Sequence, residues 1–304
     1  MVHFLIPIGF FFLGACVGSF SGVLMETSVK RSFWTGRSQC VSCQKQLRWY
    51  ELIPVLSPLI QKGRCRHCGI QIPAWVLSIE IMMGTVWTLF GILFVISGAS
   101  LWIIATHLFM LSALLILSLE DIKSYTIPDR LSLPMIVITL GIIISAEYLG
   151  EWGLLPGWKY SVLGGILGMV FYMIQMIIPA VSALIAEKKY RTVPSLLLSP
   201  LFFPFWILTK FFFGEERADR FIPSIEQLDE LPSWVGGGDI RLGILLGLMV
   251  GPLYFGWIIG IGYTIGTLFW LISRSIRKDK IDILPVAPLL FLGFCVVLMI
   301  HFFA

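Results

Sequence analysis

Ser118-Leu119-Glu120-Asp121-Ile122-Lys123-Ser124-Tyr125-Thr126-Ile127-Pro128-Asp129 closes an apolar stretch, and Gly236-Gly237-Gly238-Asp239-Ile240-Arg241-Leu242-Gly243 opens another. An ionisable group at the edge of a hydrophobic span is expensive, so one aspartate at each of two such edges, Asp121 and Asp239, reads as functional. Carboxylates brought close together do not both ionise readily, and one proton shared between two of them is the working state of an aspartic hydrolase. The rest of the chain is read as the scaffold that brings these two residues together.

Composition sets the scaffold's class. Of 304 residues, 57% are hydrophobic and 13% charged, more apolar surface than a soluble domain of this length could hide. The fold expected is an all-α polytopic membrane protein of about eight transmembrane helices in contact with lipid. The net charge of +4 is modest, and no basic block interleaved with aromatics points to nucleic acid. The N-terminus is apolar from Phe4 and has no basic n-region, so residues 1–25 read as a first span rather than a cleaved signal. Gly14, Gly18, Ser19 and Gly22 give that span a small-residue face.

Residues 26–73 change character. Lys30, Arg31, Arg37, Lys45, Arg48, Lys62, Arg64 and Arg66 stand against Glu26 and Glu51, which places this loop in the cytoplasm by the positive-inside rule. Within it Cys40-Val41-Ser42-Cys43 and Cys65-Arg66-His67-Cys68 are 21 residues apart. Two CxxC knuckles supply four thiolates for a tetrahedral structural zinc, with no open position for catalytic water. Cys16 and Cys295 lie in apolar runs and read as small buried hydrophobes.

Residues 74–304 read as the membrane domain, with spans expected near 74–98, 101–119, 131–146, 160–186, 239–253, 255–272 and 283–301. Glu80 reads as solvated or paired to an arginine, Glu120 as interfacial and His107 as a packing residue. Asp129, following Pro128, reads as a helix cap or as a group that positions substrate or loop. Pro194, Pro200 and Pro204 interrupt the apolar piece between residues 187 and 235. A single crossing there would put Asp239 on the face opposite Asp121, so 187–235 is read as an insertion whose two ends stay on the cytoplasmic side.

Gly236, Gly237 and Gly238 carry no side chain, so substrate or a facing helix can approach the backbone closely just before Asp239. Here the sequence resembles the type IV prepilin peptidases, membrane aspartic proteases. The resemblance runs through Gly18-Ser19-Phe20, Arg37-Ser38-Gln39-Cys40, Leu47-Arg48-Trp49-Tyr50-Glu51-Leu52-Ile53-Pro54-Val55-Leu56-Ser57 and Gly63 to Gly69. It continues through Asp121 to Asp129, the GGGD, and Asp282 to Leu290, a loosened form of the family's IPFGPFL segment.

The resemblance implies Asp121 and Asp239 as the catalytic pair and Cys40, Cys43, Cys65 and Cys68 as zinc-binding cysteines. It implies prepilin or pseudopilin substrates, cut after a Gly at the cytoplasmic face of a bacterial inner membrane, and a setting among pilus or secretion assembly components. Many members also use S-adenosylmethionine to methylate the new N-terminus, which is implied for the N-terminal half. Three departures stand out. Ser21-Gly22-Val23-Leu24-Met25-Glu26-Thr27 lacks the family's usual Asn and Arg, which weighs on methylation more than on proteolysis. Arg241 replaces the usual Lys, and 117 residues separate Asp121 from Asp239, more than is usual. The competing class is a non-enzymatic zinc-ribbon membrane receptor or transporter, which would distribute its acids through the membrane depth.

Overall fold

A computed structural model describes residues 2–26, 38–40, 42–150, 156–186, 236–277 and 285–303. The insertion expected at 187–235, with its three prolines, lies outside them. The described helices are α1 (Val2–Glu26), the short α2 (Leu56–Ile60), α3 (Ala74–Ile96), α4 (Leu101–Ser124), α5 (Asp129–Leu149), α6 (Trp158–Ala186), α7 (Gly237–Arg277) and α8 (Val286–Phe303). They fall into two compact units, Met1–Ile116 and Leu117–Ala304.

Six helices are long and apolar enough to cross a membrane, and α8 is a shorter apolar helix. The difference from the eight spans expected lies in α7 and α8. At about 1.5 Å per residue, the 41 residues of α7 would reach about twice the ~30 Å hydrocarbon layer if straight. They double back instead. Gly251 takes φ 70° and ψ −179° within α7, a left-handed conformation that suits glycine, and Pro252 follows it. At one level of α6, Tyr172 lies against Gly243 of the first limb while Phe171 meets Phe255 and Tyr263 of the second edge to face. One straight helix could not present both levels, so the two limbs correspond to the two spans expected.

In the first unit, α1 and α3 pack closely. A side chain at Gly14 would meet Trp87 Cβ at 2.6 Å, and one at Gly18 would meet the Ile79 carbonyl at 2.9 Å, as the small-residue face of α1 requires. His107 is fully buried with its Nδ1 2.7 Å from the Ile103 carbonyl, a packing residue as expected. Glu80 departs from expectation. It is buried, and its Oε2 accepts the Val55 N–H at 2.7 Å, because α3 meets the polypeptide of residues 51–57 there instead of water.

In the second unit, α6 and the first limb of α7 run antiparallel through interleaved glycines, Gly164 against Gly247 and Gly168 against Gly243. The last turns of α6 and the first of α7 therefore lie at the same end of the unit. The second limb then packs against α8, with Gly293 against Ile258 and Gly262 against Leu289. This returns the start of α8 to the end where α4 finishes.

Candidate active site

Asp121 sits in the last turns of α4 and is 5% exposed. Its Oδ2 accepts the N–H of Ala287, 2.9 Å away in the first turn of α8, where backbone donors have no partner inside the helix. Ala287 belongs to the Asp282 to Leu290 stretch singled out in the sequence, and its backbone brings the described part of that stretch to Asp121. Asp239 lies in the first turn of α7, where its Oδ2 accepts the Gly236 N–H at 3.0 Å and its own N–H donates to the Gly236 carbonyl at 3.1 Å. The two carboxylates lie within electrostatic range of each other. They are brought together across 117 residues of sequence.

A second set of contacts holds this approach. The Arg241 side chain is 7% exposed and forms an ion pair with the Asp129 carboxylate. Its Nε donates to Ser132 Oγ at 3.0 Å, and its terminal nitrogen donates to the Ile127 carbonyl at 2.9 Å. Asp129 is therefore not the cap: Pro128 holds the cap position, and Asp129 is the first residue of α5 with its carboxylate turned to α7. Gly238 passes against Ile127, whose Cβ would stand 2.9 Å from a side chain at 238. Of the three glycines expected to permit close approach, this one does so; Gly236 and Gly237 have room. Glu120 is buried, not interfacial. Its Oε1 lies 3.7 Å from Arg130, and its Oε2 has no hydrogen-bond partner among the described residues.

In the sequence Arg241 stands out only as a charge-keeping change and Ala287 only as part of the Asp282 to Leu290 stretch, while Ser132 and Tyr172 carry no signal. A buried cation two residues after Asp239 needs an anion, and Asp129, beside the other aspartate's loop, was the available one.

In the first unit the four cysteines converge. Cys40, Cys43, Cys65 and Cys68 place their sulfurs within 4.8 Å of one another, with Cys40 and Cys68 at 3.7 Å. Tetrahedral Zn–S bonds of about 2.3 Å separate sulfurs by about 3.8 Å, so this cluster fits a metal ion of zinc's size. The two knuckles repeat one construction. Gln44 and Gly69 both take positive φ and donate N–H to the Cys40 and Cys65 carbonyls, while Cys40 and Cys65 donate to Lys45 and Ile70. The Cys43 N–H lowers the Cys40 thiol to about 7. Cys43 is itself pushed up to about 11; the Lys45 N–H opposes this, but burial and the neighbouring Cys40 and Cys68 sulfurs outweigh it. Crowded thiols resist collective ionisation, which a divalent cation would relieve.

A set of apolar helices long enough to cross a membrane, with two aspartates within electrostatic range of each other in one unit, defines the molecule as a multi-pass membrane protein. Residues 108–302 match the type IV leader peptidase family and residues 12–94 match the bacterial peptidase A24 N-terminal domain. The chain belongs to the type IV leader peptidase family. Among similar proteins, the prepilin leader peptidase/N-methyltransferase of Burkholderia pseudomallei (strain 1026b) is 34% identical over 135 residues, 44% of this chain and 40% of that protein. The protein of the same name from Bacillus subtilis is 30% identical over 162 residues, 53% of this chain and 61% of that one. The one from Klebsiella pneumoniae is 33% identical over 145 residues, 45% and 62%. The chain thus spans between two fifths and just over three fifths of the length of these relatives. No solved structure matches it.

Proposed function

We propose that this chain is a membrane aspartic endopeptidase that removes the leader from prepilins or pseudopilins at the cytoplasmic face of a bacterial inner membrane. One observation carries the reading: the pairing of Asp121 and Asp239, each anchored by a backbone N–H. In the proposed reaction one aspartate, ionised, takes a proton from water while the other, protonated, polarises the scissile carbonyl. Asp129, Arg241 and Gly238 set the distance between the pair and act as positioning residues. The basic residues of 26–73 support the cytoplasmic assignment. Placement of both acids at one end of a unit favours a hydrolase over a transport path, which would string its acids through the membrane depth.

Cys40, Cys43, Cys65 and Cys68 would hold zinc as a structural ion. The relatives' printed names support N-methylation as a second activity, with S-adenosylmethionine as methyl donor. The buried carboxylates of the first unit, Glu51 and Glu80, are bonded to the backbone N–H groups of Arg48 and Val55. These two carboxylates are therefore already partnered and offer no free anion to a methyl donor.

The test is co-expression with a candidate prepilin and mass measurement of the product's N-terminus. The wild-type chain is expected to remove the leader, and one added methyl mass would report the second activity. Asp121→Asn and Asp239→Asn should each abolish cleavage while leaving expression and membrane insertion intact, because asparagine cannot hold the shared proton. Substantial processing by either variant would overturn the dyad.

A further inference from the structure

We propose that Tyr172 is a third catalytic residue, whose hydroxyl donates a hydrogen bond to the scissile carbonyl oxygen as that oxygen gains charge; this rests on the peptidase reading above. Tyr172 is fully buried in α6, and its hydroxyl has no hydrogen-bond partner among the described residues. Its ring packs against Gly243. Gly243 follows Asp239 by four residues, which puts the two on one face of the first limb of α7, one turn apart. The tyrosine is also within electrostatic range of both Asp239 and Asp121. The nearest hydroxyl is that of Tyr263, which lies close enough to act on Tyr172 electrostatically but gives its proton to Gln175 Oε1 at 3.2 Å and makes no bond of hydrogen-bond geometry with Tyr172. A buried phenol usually finds a partner, and leaving one unbonded destabilises the fold. A group kept at that expense beside two carboxylates is explained if its partner arrives with substrate.

The chemistry is that of a preorganised donor. Water adds to the carbonyl carbon as one aspartate takes the water proton and the other passes its proton to the carbonyl oxygen. The gem-diol then collapses, the C–N bond breaking as the first aspartate gives its proton to the amide nitrogen and the second recovers one from a gem-diol hydroxyl. Tyr172 forms and breaks no covalent bond and keeps its proton. It supplies a fixed dipole where negative charge develops, in surroundings that exclude water. Glycine at 243 is what admits the ring, because a side chain there would overlap Tyr172.

The experiment uses the full chain in lipid vesicles and a synthetic peptide with a basic leader, a Gly-Phe junction and an apolar segment. Tyr172→Phe keeps the ring and removes only the hydroxyl. It is expected to lower kcat on the order of 100-fold, to leave KM within about threefold, and to leave the thermal midpoint unchanged or raised, because an unbonded polar atom has been removed. Wild-type kcat in this variant would overturn the proposal. So would a fall in kcat that tracks a lower midpoint, the mark of a structural role. Asp121→Asn and Asp239→Asn are run alongside. If they also cleave, the peptidase reading fails; if they are inactive while Tyr172→Phe is unimpaired, only the role of Tyr172 fails.

Discussion

The cysteine cluster and the aspartate site both gather ionisable groups that would repel one another in isolation, yet they are assembled by opposite means. The cysteines come from two local knuckles of the same build, each closing on itself through its own backbone hydrogen bonds. The site around Asp121 and Asp239 has no local unit. It depends on the end of α4, the start of α5, α6, the first limb of α7 and the start of α8, joined by the Arg241–Asp129 and Arg130–Glu120 ion pairs and a few backbone contacts. A locally built site should fail when its ion is withdrawn, and a site assembled from distant helices should fail when a single bridging contact is removed.

The largest expected effect separates the two. Stripping the metal from the cysteine cluster, or Cys65→Ser, should remove up to about 10 kcal/mol of binding free energy that holds residues 38–73 folded. Metal analysis should find about one zinc per wild-type chain and much less in the variant. Cleavage should survive a chelator over short assays, because zinc performs no step of the proposed reaction. Immediate loss of cleavage on chelation would break the distinction between the regions.

Next comes the bridge. Asp129→Ala would leave the buried Arg241 guanidinium without its carboxylate, and breaking a buried pair typically costs 3–5 kcal/mol. Because the Asp129 side chain is 27% exposed, the expected loss is near the lower end, about 3 kcal/mol. It should show as a lower thermal midpoint with a parallel loss of cleavage. Arg241→Lys keeps the charge but not the fork that reaches Ser132 and Ile127, so its effect should be smaller. A variant at 129 that melts and cleaves as wild type would show that the bridge does not set the carboxylate distance.

The same contrast explains what could be read from sequence. Ligand spacing is local, so the cysteine set was legible outright. The two aspartates were legible because an acid at the edge of an apolar span is rare, and the two limbs of α7 as the spans expected at 239–253 and 255–272, although the Gly251-Pro252 kink that divides them was not singled out. Tyr172 was not, since a tyrosine in a long apolar helix reads as packing until the register of α6 on α7 sets it against Gly243. Glu80 and Glu120 were misread for a related reason. Position near a helix end suggests solvent, but other polypeptide covers both residues.

The smallest effect tests how closely the backbones must approach. Gly236, Gly237 and Gly238 look alike in sequence, and in the fold they differ. A methyl at 236 would have only Asp239 Oδ2 near it, at 3.9 Å, and one at 237 only the far end of Arg241, at 4.0 Å. A methyl at 238 would press on Ile127 Cβ at 2.9 Å and on the Ile127 carbonyl at 3.1 Å, in the loop that leads from Asp121 to Asp129. The beta carbon and backbone of Ile127 cannot swing aside as a long side chain would. Gly238→Ala should therefore push α7 from that loop, costing about 1–3 kcal/mol and lowering cleavage by widening the Asp121–Asp239 gap. Gly236→Ala and Gly237→Ala should change the thermal midpoint little and retain cleavage, since alanine near a helix start also restricts the unfolded chain. Measured side by side, equal losses in all three would mean that the glycines serve substrate access and not helix approach. Loss confined to Gly238→Ala would locate the requirement at the contact with Ile127.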